Sequence, residues 1–262
     1  MTDYLKEYYD NYDEDGRLVR DRVGRVEFRT TWKYIHDHLP AGKARILEIG
    51  AGTGRYSVAL AKEGHDVTAV ELVAHNLDIL RAKLDGSEKL TALQGNALDL
   101  SMLEENAFDM TLVLGPMYHL YTEAEKQTAL REAVRVTKPG GILMIAYCMN
   151  EATVIQYVFG ANKRREVMEL GMLTPDWKCV SEPKDLFEMV RTEDIDRVNA
   201  AADVTRLKLI ATDGASRYIR DYMAEWDEDT FEKWVDYHFA TCERADLIGA
   251  TNHALDILRK NA

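Results

Sequence analysis

The segment ILEIGAGTGRYS (Ile46–Ser57) has a glycine at every second position of its centre, Gly50, Gly52 and Gly54. The glycines follow a short apolar run that carries a single acid, Glu48. Glycine adopts backbone angles that other residues avoid, and it lets a ligand approach the main chain closely. The segment therefore predicts a ligand-binding turn between a buried strand and a helix. Its spacing differs from the G-x-G-x-x-G fingerprint of dinucleotide-binding turns, whose last glycine opens the helix beside a pyrophosphate.

Apolar runs of strand length alternate with helical patterns from about residue 45 onward. The pattern predicts strands at 45–50, 66–72, 90–96, 108–115 and 141–148, and helices at 55–64, 74–84 and 123–136. Continuous apolar strands that are separated by helices predict a mostly parallel α/β sheet covered on both faces. Two later runs, 204–211 and 253–260, predict further strands, which brings the total to seven.

Several segments together resemble a known family. The E-x-G-x-G-x-G pattern from Glu48 to Gly54 resembles motif I of the class I S-adenosylmethionine-dependent methyltransferases. Glu71 ends the next predicted strand, where a carboxylate can accept hydrogen bonds from two vicinal ribose hydroxyls. The segments LGPMYHL (Leu114–Leu120) and VTKPGG are also similar to family features. The resemblance covers roughly residues 43–148. It implies a Rossmann-like, doubly wound fold of the bacterial small-molecule type.

The resemblance also implies S-adenosyl-L-methionine as the cofactor and S-adenosyl-L-homocysteine as the product. In that family the glycine loop wraps around the amino-acid part of the cofactor, and the acid at Glu71 holds the ribose. Asn96 and Ala97 replace the usual acidic and small residues beside the adenine, with Asp99 as an alternative contact. The predicted cofactor-binding residues are Glu48, Gly50, Ala51, Gly52, Thr53, Gly54, Tyr56, Glu71, Leu72, Asn96, Ala97, Leu114 and Gly115.

His119 and Tyr118 are the predicted catalytic residues. They follow the fourth predicted strand, in the segment that lines the methyl-transfer site in the family. Histidine titrates near neutral pH and can act as a general base. A base is needed only for an acceptor that arrives protonated, and a carboxylate or thiolate needs none. Tyr118 would position the acceptor. The alternative for His119 is a role in packing or ordering its loop.

Composition narrows the possible partners. The chain is 46% hydrophobic and 30% charged, as in ordinary globular proteins. Its net charge of −12 disfavours a nucleic-acid partner, which is usually bound by a basic face. Cys148, Cys179 and Cys242 show no metal-ligand spacing, so we expect no metal site and a reducing, cytoplasmic location. The least charged run (Pro139–Asn150) is too short to span a bilayer, so no membrane association is expected. The oligomeric state is not predicted.

The chain divides into three predicted regions: an N-terminal helical segment that covers the cofactor site (1–42), the cofactor-binding core (43–148), and the rest of the sheet (149–262). The last region carries two helical insertions, at about 150–192 and 212–250, which we expect to form a lid. A closed lid suits a small acceptor, so the favoured function is methyl transfer to a small molecule through O, N or S. The alternatives are an RNA or protein methyltransferase, or a non-catalytic S-adenosylmethionine-binding protein.

Overall fold

A computed structural model describes residues 3–262, so the first two residues of the predicted N-terminal segment lie outside the described residues. The strands are β1 (Arg45–Ile49), β2 (Asp66–Glu71), β3 (Leu90–Gln94), β4 (Phe108–Val113), β5 (Thr137–Met149), β6 (Met189–Val190), β7 (Val204–Ala211) and β8 (His253–Lys260). The helices are α1 (Asp3–Asn11), α2 (Arg22–His38), α3 (Arg55–Lys62), α4 (Ala74–Ala82), α5 (Glu123–Val136), α6 (Asn150–Thr153), α7 (Arg164–Glu169), α8 (Thr192–Asn199), α9 (Arg220–Glu225), α10 (Glu228–Thr241) and α11 (Ala245–Ile248). A π-helical segment (Val154–Gly160) follows α6, and 3-10 turns lie at Pro116–His119 and Pro183–Asp185.

The strands form one sheet in the order β3-β2-β1-β4-β5-β8-β7. Strand β8 runs antiparallel to both of its neighbours, whereas the pairs from β3 to β5 are parallel. This architecture confirms the predicted doubly wound, mostly parallel sheet. The short strand β6, which pairs with the end of β5, adds an eighth strand. With only two residues, β6 is too short to produce a periodic sequence pattern, so the sequence did not reveal it.

The two faces of the sheet carry separate cores, because successive side chains of a strand point to opposite sides. Leu47 and Leu143 contribute to a core that α5 and α8 cover. Ile46 and Met144 contribute to the other core, which α2 and α3 cover. Helices therefore pack on both faces, as the continuous apolar strands predicted.

The helices of the second insertion pack against α2. Met223 of α9 and Phe231 of α10 form a small apolar cluster with Val23 and Val26. The acids of α10 that face α2 are also paired, since both oxygens of Glu232 accept hydrogen bonds from one arginine of α2. These contacts attach the 212–250 insertion to the N-terminal segment. The region boundaries and the lid role stay predictions.

Candidate cofactor and acceptor site

The glycine loop joins β1 to α3 at the carboxyl edge of the sheet. Gly52 and Gly54 both have positive φ angles, +55° and +81°. A Cβ atom on Gly54 would lie 2.6 Å from Leu80 Cγ, so a side chain there would collide with the core. A Cβ atom on Gly52 would find only the Glu14 side chain within 4 Å among the described residues, at 3.5 Å. Gly54 therefore allows close packing below the loop, and Gly52 faces the N-terminal segment above it.

Glu48 lies on β1 with its carboxylate buried under the start of α3. One carboxylate oxygen accepts a hydrogen bond from the Ser57 backbone N–H at 2.9 Å and another from the Ser57 hydroxyl. Burial raises the pKa of Glu48 to about 7, although the bonds from Ser57 oppose the rise. The carboxylate thus ties the first turn of α3 to the sheet. Contact with the cofactor stays a prediction for this residue.

Glu71 ends β2 and reaches the glycine loop. Its Oε2 accepts a hydrogen bond from Gly52 N at 2.7 Å, and its Oε1 accepts one from Val73 N at 2.8 Å. Burial raises the pKa of Glu71, and the backbone donors oppose that rise. A carboxylate offers about four lone-pair positions, and the backbone donors of Gly52, Leu72 and Val73 leave at least one for a further donor. The group therefore fits the ribose hydroxyls that the sequence assigned to it.

The predicted adenine end of the site lies after β3. Asn96 Oδ1 accepts a hydrogen bond from Leu98 N at 3.0 Å, which leaves the amide N–H donors of Asn96 available to a base edge. The alternative residue, Asp99, accepts a hydrogen bond from the Ser101 N–H at 3.0 Å within its own turn. Ala97 is buried beside them. The remaining loop residues are at least half buried at the same edge of the sheet: Ala51, Thr53, Leu72 and Gly115.

The loop between α1 and α2 lies against the glycine loop. The Asp15 carboxylate accepts a hydrogen bond from the Thr53 hydroxyl at 2.9 Å and pairs with the Lys83 ammonium group. Arg55 Nη2 donates to the Asp15 carbonyl oxygen at 2.6 Å. Three polar contacts thus attach the N-terminal segment to the glycine loop and the adjoining helices.

His119 lies in the 3-10 turn after β4, with both ring nitrogens occupied. Its Nδ1 is 2.7 Å from the Leu186 carbonyl oxygen, which can only accept, so Nδ1 carries the proton. Nε2 is then the acceptor for the Tyr9 hydroxyl at 3.0 Å. Burial lowers the pKa of His119 and outweighs the opposing bond to Leu186. The imidazole is therefore neutral, and its Nε2 lone pair accepts the hydrogen bond from Tyr9.

A narrow cavity lies beside the glycine loop at the carboxyl edge of the sheet. The cavity has a volume of about 20 Å³, enough for about one water molecule, and its polar and apolar lining includes Arg17, Glu27, Tyr56, Leu114, Tyr118 and His253. Two of these residues were predicted to bind cofactor, and Tyr118 was predicted to be catalytic. The structure thus brings three predicted site residues to one cavity, whereas His119 does not line it.

Four charged side chains form a cluster at this cavity. Arg17 Nη1 donates to both oxygens of Glu27, at 2.9 and 3.0 Å. His253 Nδ1 lies 2.9 Å from Asp213 Oδ2 and 3.5 Å from Glu27 Oε2. Burial alone lowers the pKa of His253, but the carboxylates of Glu27 and Asp213 hold it well above its ordinary value. Burial raises the pKa of Asp213, yet His253 brings it below its ordinary value. His253 is therefore an imidazolium.

Glu27, Asp213 and His253 also lie close enough together to coordinate a metal ion, with ligand atoms within 4.8 Å of one another. Their existing bonds oppose that use. Both oxygens of Glu27 are bound to Arg17, and Asp213 Oδ1 accepts from the Thr251 hydroxyl at 2.6 Å. A histidine ligand must also be unprotonated. The cluster is therefore an ion-pair network.

The sequence did not reveal this network, because its members are far apart along the chain. One signal was available for Glu27, which lies one helical turn after Val23 on the buried face of α2. An acid on an apolar helix face needs a buried partner. For His253 no local signal exists, since its position depends on the direction in which β8 runs.

Comparison with known proteins agrees with this geometry. Residues 47–145 match the family described as a methyltransferase domain. This central segment of the chain is therefore similar to methyltransferase domains. The predicted resemblance to methyltransferases and the prediction of S-adenosyl-L-methionine as the cofactor are confirmed by this match. No helix among residues 3–262 is long and apolar enough to cross a membrane.

Individual relatives match the core of the chain. An uncharacterized methyltransferase of Mycobacterium tuberculosis is 38% identical over 109 residues, which is 42% of each chain. A demethylmenaquinone methyltransferase of Clavibacter sepedonicus is 33% identical over 145 residues, 55% of each chain. The matched part thus spans about half the length of these relatives. A solved structure from Thermotoga maritima, described as a possible histamine N-methyltransferase, superposes over 100% of both chains with a TM-score of 0.59 and 18% identity.

Proposed function

We propose that this chain transfers the methyl group of S-adenosylmethionine to a small-molecule acceptor. The observation that carries the proposal is the contact of Glu71 with the glycine loop, within the segment that matches a methyltransferase domain. On the predicted acceptor side, Tyr118 lines a narrow cavity together with Tyr56 and Leu114, which were predicted to bind the cofactor. Relatives named demethylmenaquinone methyltransferase and ubiquinone biosynthesis O-methyltransferase support a small acceptor.

The described residues fit the cofactor. The positive φ angle of Gly52 opens the loop to a ligand, and the Glu71 carboxylate keeps acceptor capacity for a ribose hydroxyl. Asn96 keeps amide donors for the adenine. When bound, the cofactor supplies a methyl group on a positively charged sulfur, which is activated for in-line displacement.

On the acceptor side, Tyr118 and His119 have different roles in this proposal. The Tyr118 hydroxyl borders the cavity and would hold the acceptor in line, since alignment alone can supply much of a displacement rate. His119 is neutral and would accept a proton at Nε2 after the Tyr9 hydroxyl moves away. An acceptor that is already anionic needs no base, and His119 would then only order its loop.

Two measurements test the proposal. Calorimetry with S-adenosylhomocysteine should give saturable binding, and NAD should give none. The protein is then incubated with methyl-labelled cofactor and the small-molecule, peptide and RNA fractions of a cell extract, with Glu71→Gln as the matched control. Label in the small-molecule fraction supports the proposal. Label in RNA or protein instead refutes it. Cofactor binding with no labelled fraction identifies a binding protein rather than an enzyme.

The peptide fraction has a specific purpose. One relative is named cypemycin N-terminal methyltransferase, and it is 34% identical over 110 residues. An acceptor that belongs to a peptide chain would need the cavity to admit a chain terminus. Label in short peptides but not in folded proteins would therefore favour that acceptor class over a free metabolite.

A further inference from the structure

One acid of the N-terminal segment, Glu14, lies directly against the glycine loop. A Cβ atom on Gly52 would lie 3.5 Å from Glu14 Cγ, and only the Glu14 side chain comes within 4 Å of that position among the described residues. The Glu14 side chain is 20% exposed, and its Oε1 accepts a hydrogen bond from Arg17 Nε at 3.2 Å. Its Oε2 accepts no hydrogen bond from residues 3–262. A mostly buried carboxylate with a free oxygen therefore faces the loop.

Glu14 lies near both ends of the predicted site. Burial raises the pKa values of Glu71 and Tyr9, and the negative charge of Glu14 raises both further, so Glu14 is near each of these groups. Tyr9 in turn bonds to His119 on the predicted methyl-transfer side. The amino-acid part of S-adenosylmethionine is joined to the ribose through the sulfur. A ribose held by Glu71 therefore brings that part of the cofactor close to Glu14.

The charges around Glu14 favour a cationic group. Arg17 is the cation that contacts Glu14, and it also donates to both oxygens of Glu27, so two carboxylates share one guanidinium. Glu71 adds a third carboxylate, whose partners among the described residues are backbone N–H groups. Burial raises the pKa of Glu14 although Arg17 opposes the rise. A further cation with N–H donors would compensate this excess of negative charge.

Asp15 holds the backbone of Glu14 at the loop. The Asp15 carboxylate accepts a hydrogen bond from the Thr53 hydroxyl at 2.9 Å and pairs with the Lys83 ammonium group. Its carbonyl oxygen accepts from Arg55 Nη2 at 2.6 Å. The Glu14 carboxylate is joined to this fixed backbone through two methylene groups. It can therefore turn aside to admit a ligand and still reach the ligand once it is bound.

We propose that Glu14 binds the α-ammonium group of S-adenosylmethionine with its free oxygen and so selects cofactors that carry this group. An ammonium group offers three N–H donors, and its bond to a carboxylate is of the strong, charge-assisted kind. Glu71 and Glu14 then hold two different parts of the same ligand, the ribose and the amino-acid part. This inference rests on the cofactor of the proposed function and is independent of the acceptor.

Three ligands test the assignment by calorimetry on the full chain, without any acceptor. They are S-adenosylhomocysteine, its deaminated analogue, which keeps the carboxylate, and its decarboxylated analogue, which keeps the ammonium group. Glu14→Gln preserves the size of the side chain and removes its charge. We expect this variant to bind S-adenosylhomocysteine and the decarboxylated analogue roughly tenfold to a hundredfold more weakly, the effect of one lost hydrogen bond between charged groups. Its affinity for the deaminated analogue should stay within about twofold of wild type, which also shows that the variant is folded.

Two control variants separate a specific contact from a general loosening of the segment. Asp15→Asn removes the charge of the neighbouring residue, which holds the backbone, and should weaken all three ligands by similar factors. Glu7→Gln removes an exposed charge of α1 and should change none of the affinities. Equal weakening of all three ligands by Glu14→Gln, or unchanged affinity for S-adenosylhomocysteine, overturns the inference alone. Failure of S-adenosylhomocysteine to bind the wild-type protein overturns the proposed function and this inference with it.

Discussion

Replacing Glu48 with glutamine tests how the protein accommodates a buried acid beneath its ligand loop. In the folded protein, burial raises the pKa of this carboxyl from 4.5 to about 7. The folded state therefore binds the proton more tightly than the unfolded state does. The stabilisation from that proton is complete below pH 4.5 and is lost as pH rises through about 7.

The size of the effect follows from the two pKa values. A tenfold difference in proton affinity corresponds to about 1.4 kcal/mol, so the full loss is about 3 kcal/mol, of which roughly 2 kcal/mol falls between pH 5 and pH 8. Glutamine is neutral at every pH and keeps an oxygen for the Ser57 N–H and hydroxyl. Glu48→Gln should therefore remove that pH dependence and make the protein more stable than wild type at pH 8.

Urea unfolding of the cofactor-free protein, followed by tryptophan fluorescence at pH 5, 6, 7 and 8, measures the effect. The difference in unfolding free energy between the two proteins should grow with pH by roughly 2 kcal/mol. Glu104→Gln, which changes an exposed acid, is the matched control and should leave the wild-type profile unchanged. Parallel profiles for Glu48→Gln and wild type would refute the reasoning, since they would show that Glu48 titrates alike in both states.

Three further predictions concern the site. Glu71→Gln should weaken binding of S-adenosylhomocysteine by roughly 1–3 kcal/mol in calorimetry, the range for hydrogen bonds to a charged group, and unchanged affinity would assign the ribose to another residue. Gly52→Val should abolish that binding and lower the melting temperature, because the branched side chain opposes the positive φ of +55° and occupies ligand space. Retained binding would show that the loop does not approach the ligand. His119→Ala should lower turnover roughly 10²–10⁴-fold with cofactor affinity little changed if His119 is the base. Unchanged kinetics with a lower melting temperature would leave it a packing role.

Local sequence patterns predicted most of the helices and strands, because the residues that begin and end these elements lie next to them in the sequence. The predicted boundaries of α5 agree with the structure at both ends, because Thr122 and Glu125 form a capping box at its start. Strand β7 also agrees at both ends. Strand β5 begins earlier than predicted, at Thr137, because the chain pairs with Phe108 before the Pro-Gly-Gly turn residues and resumes pairing after a bulge.

The candidate site was predictable only where it depends on consecutive residues. The glycine loop and Glu71 are adjacent in space because the parallel strands β1 and β2 end at the same edge of the sheet. The alternation of strands and helices in the sequence already predicted such a parallel sheet. The partners of His119 could not be predicted, since Tyr9 and Leu186 come from segments without a periodic relation to β4. The cavity likewise depends on tertiary contacts between segments that are far apart in the chain.

The last strand, β8, lies between β5 and β7 in the sheet, and this affects the order in which parts of the site can form during synthesis. Strands β1 to β5 leave the ribosome first and contain the glycine loop, so a nascent chain can complete that loop early. The imidazole of His253 arrives only with the last strand. Until β8 inserts between β5 and β7, Asp213 and Glu27 have no imidazolium between them. Synthesis thus completes the glycine loop before the ion-pair network, which forms only once β8 has been translated.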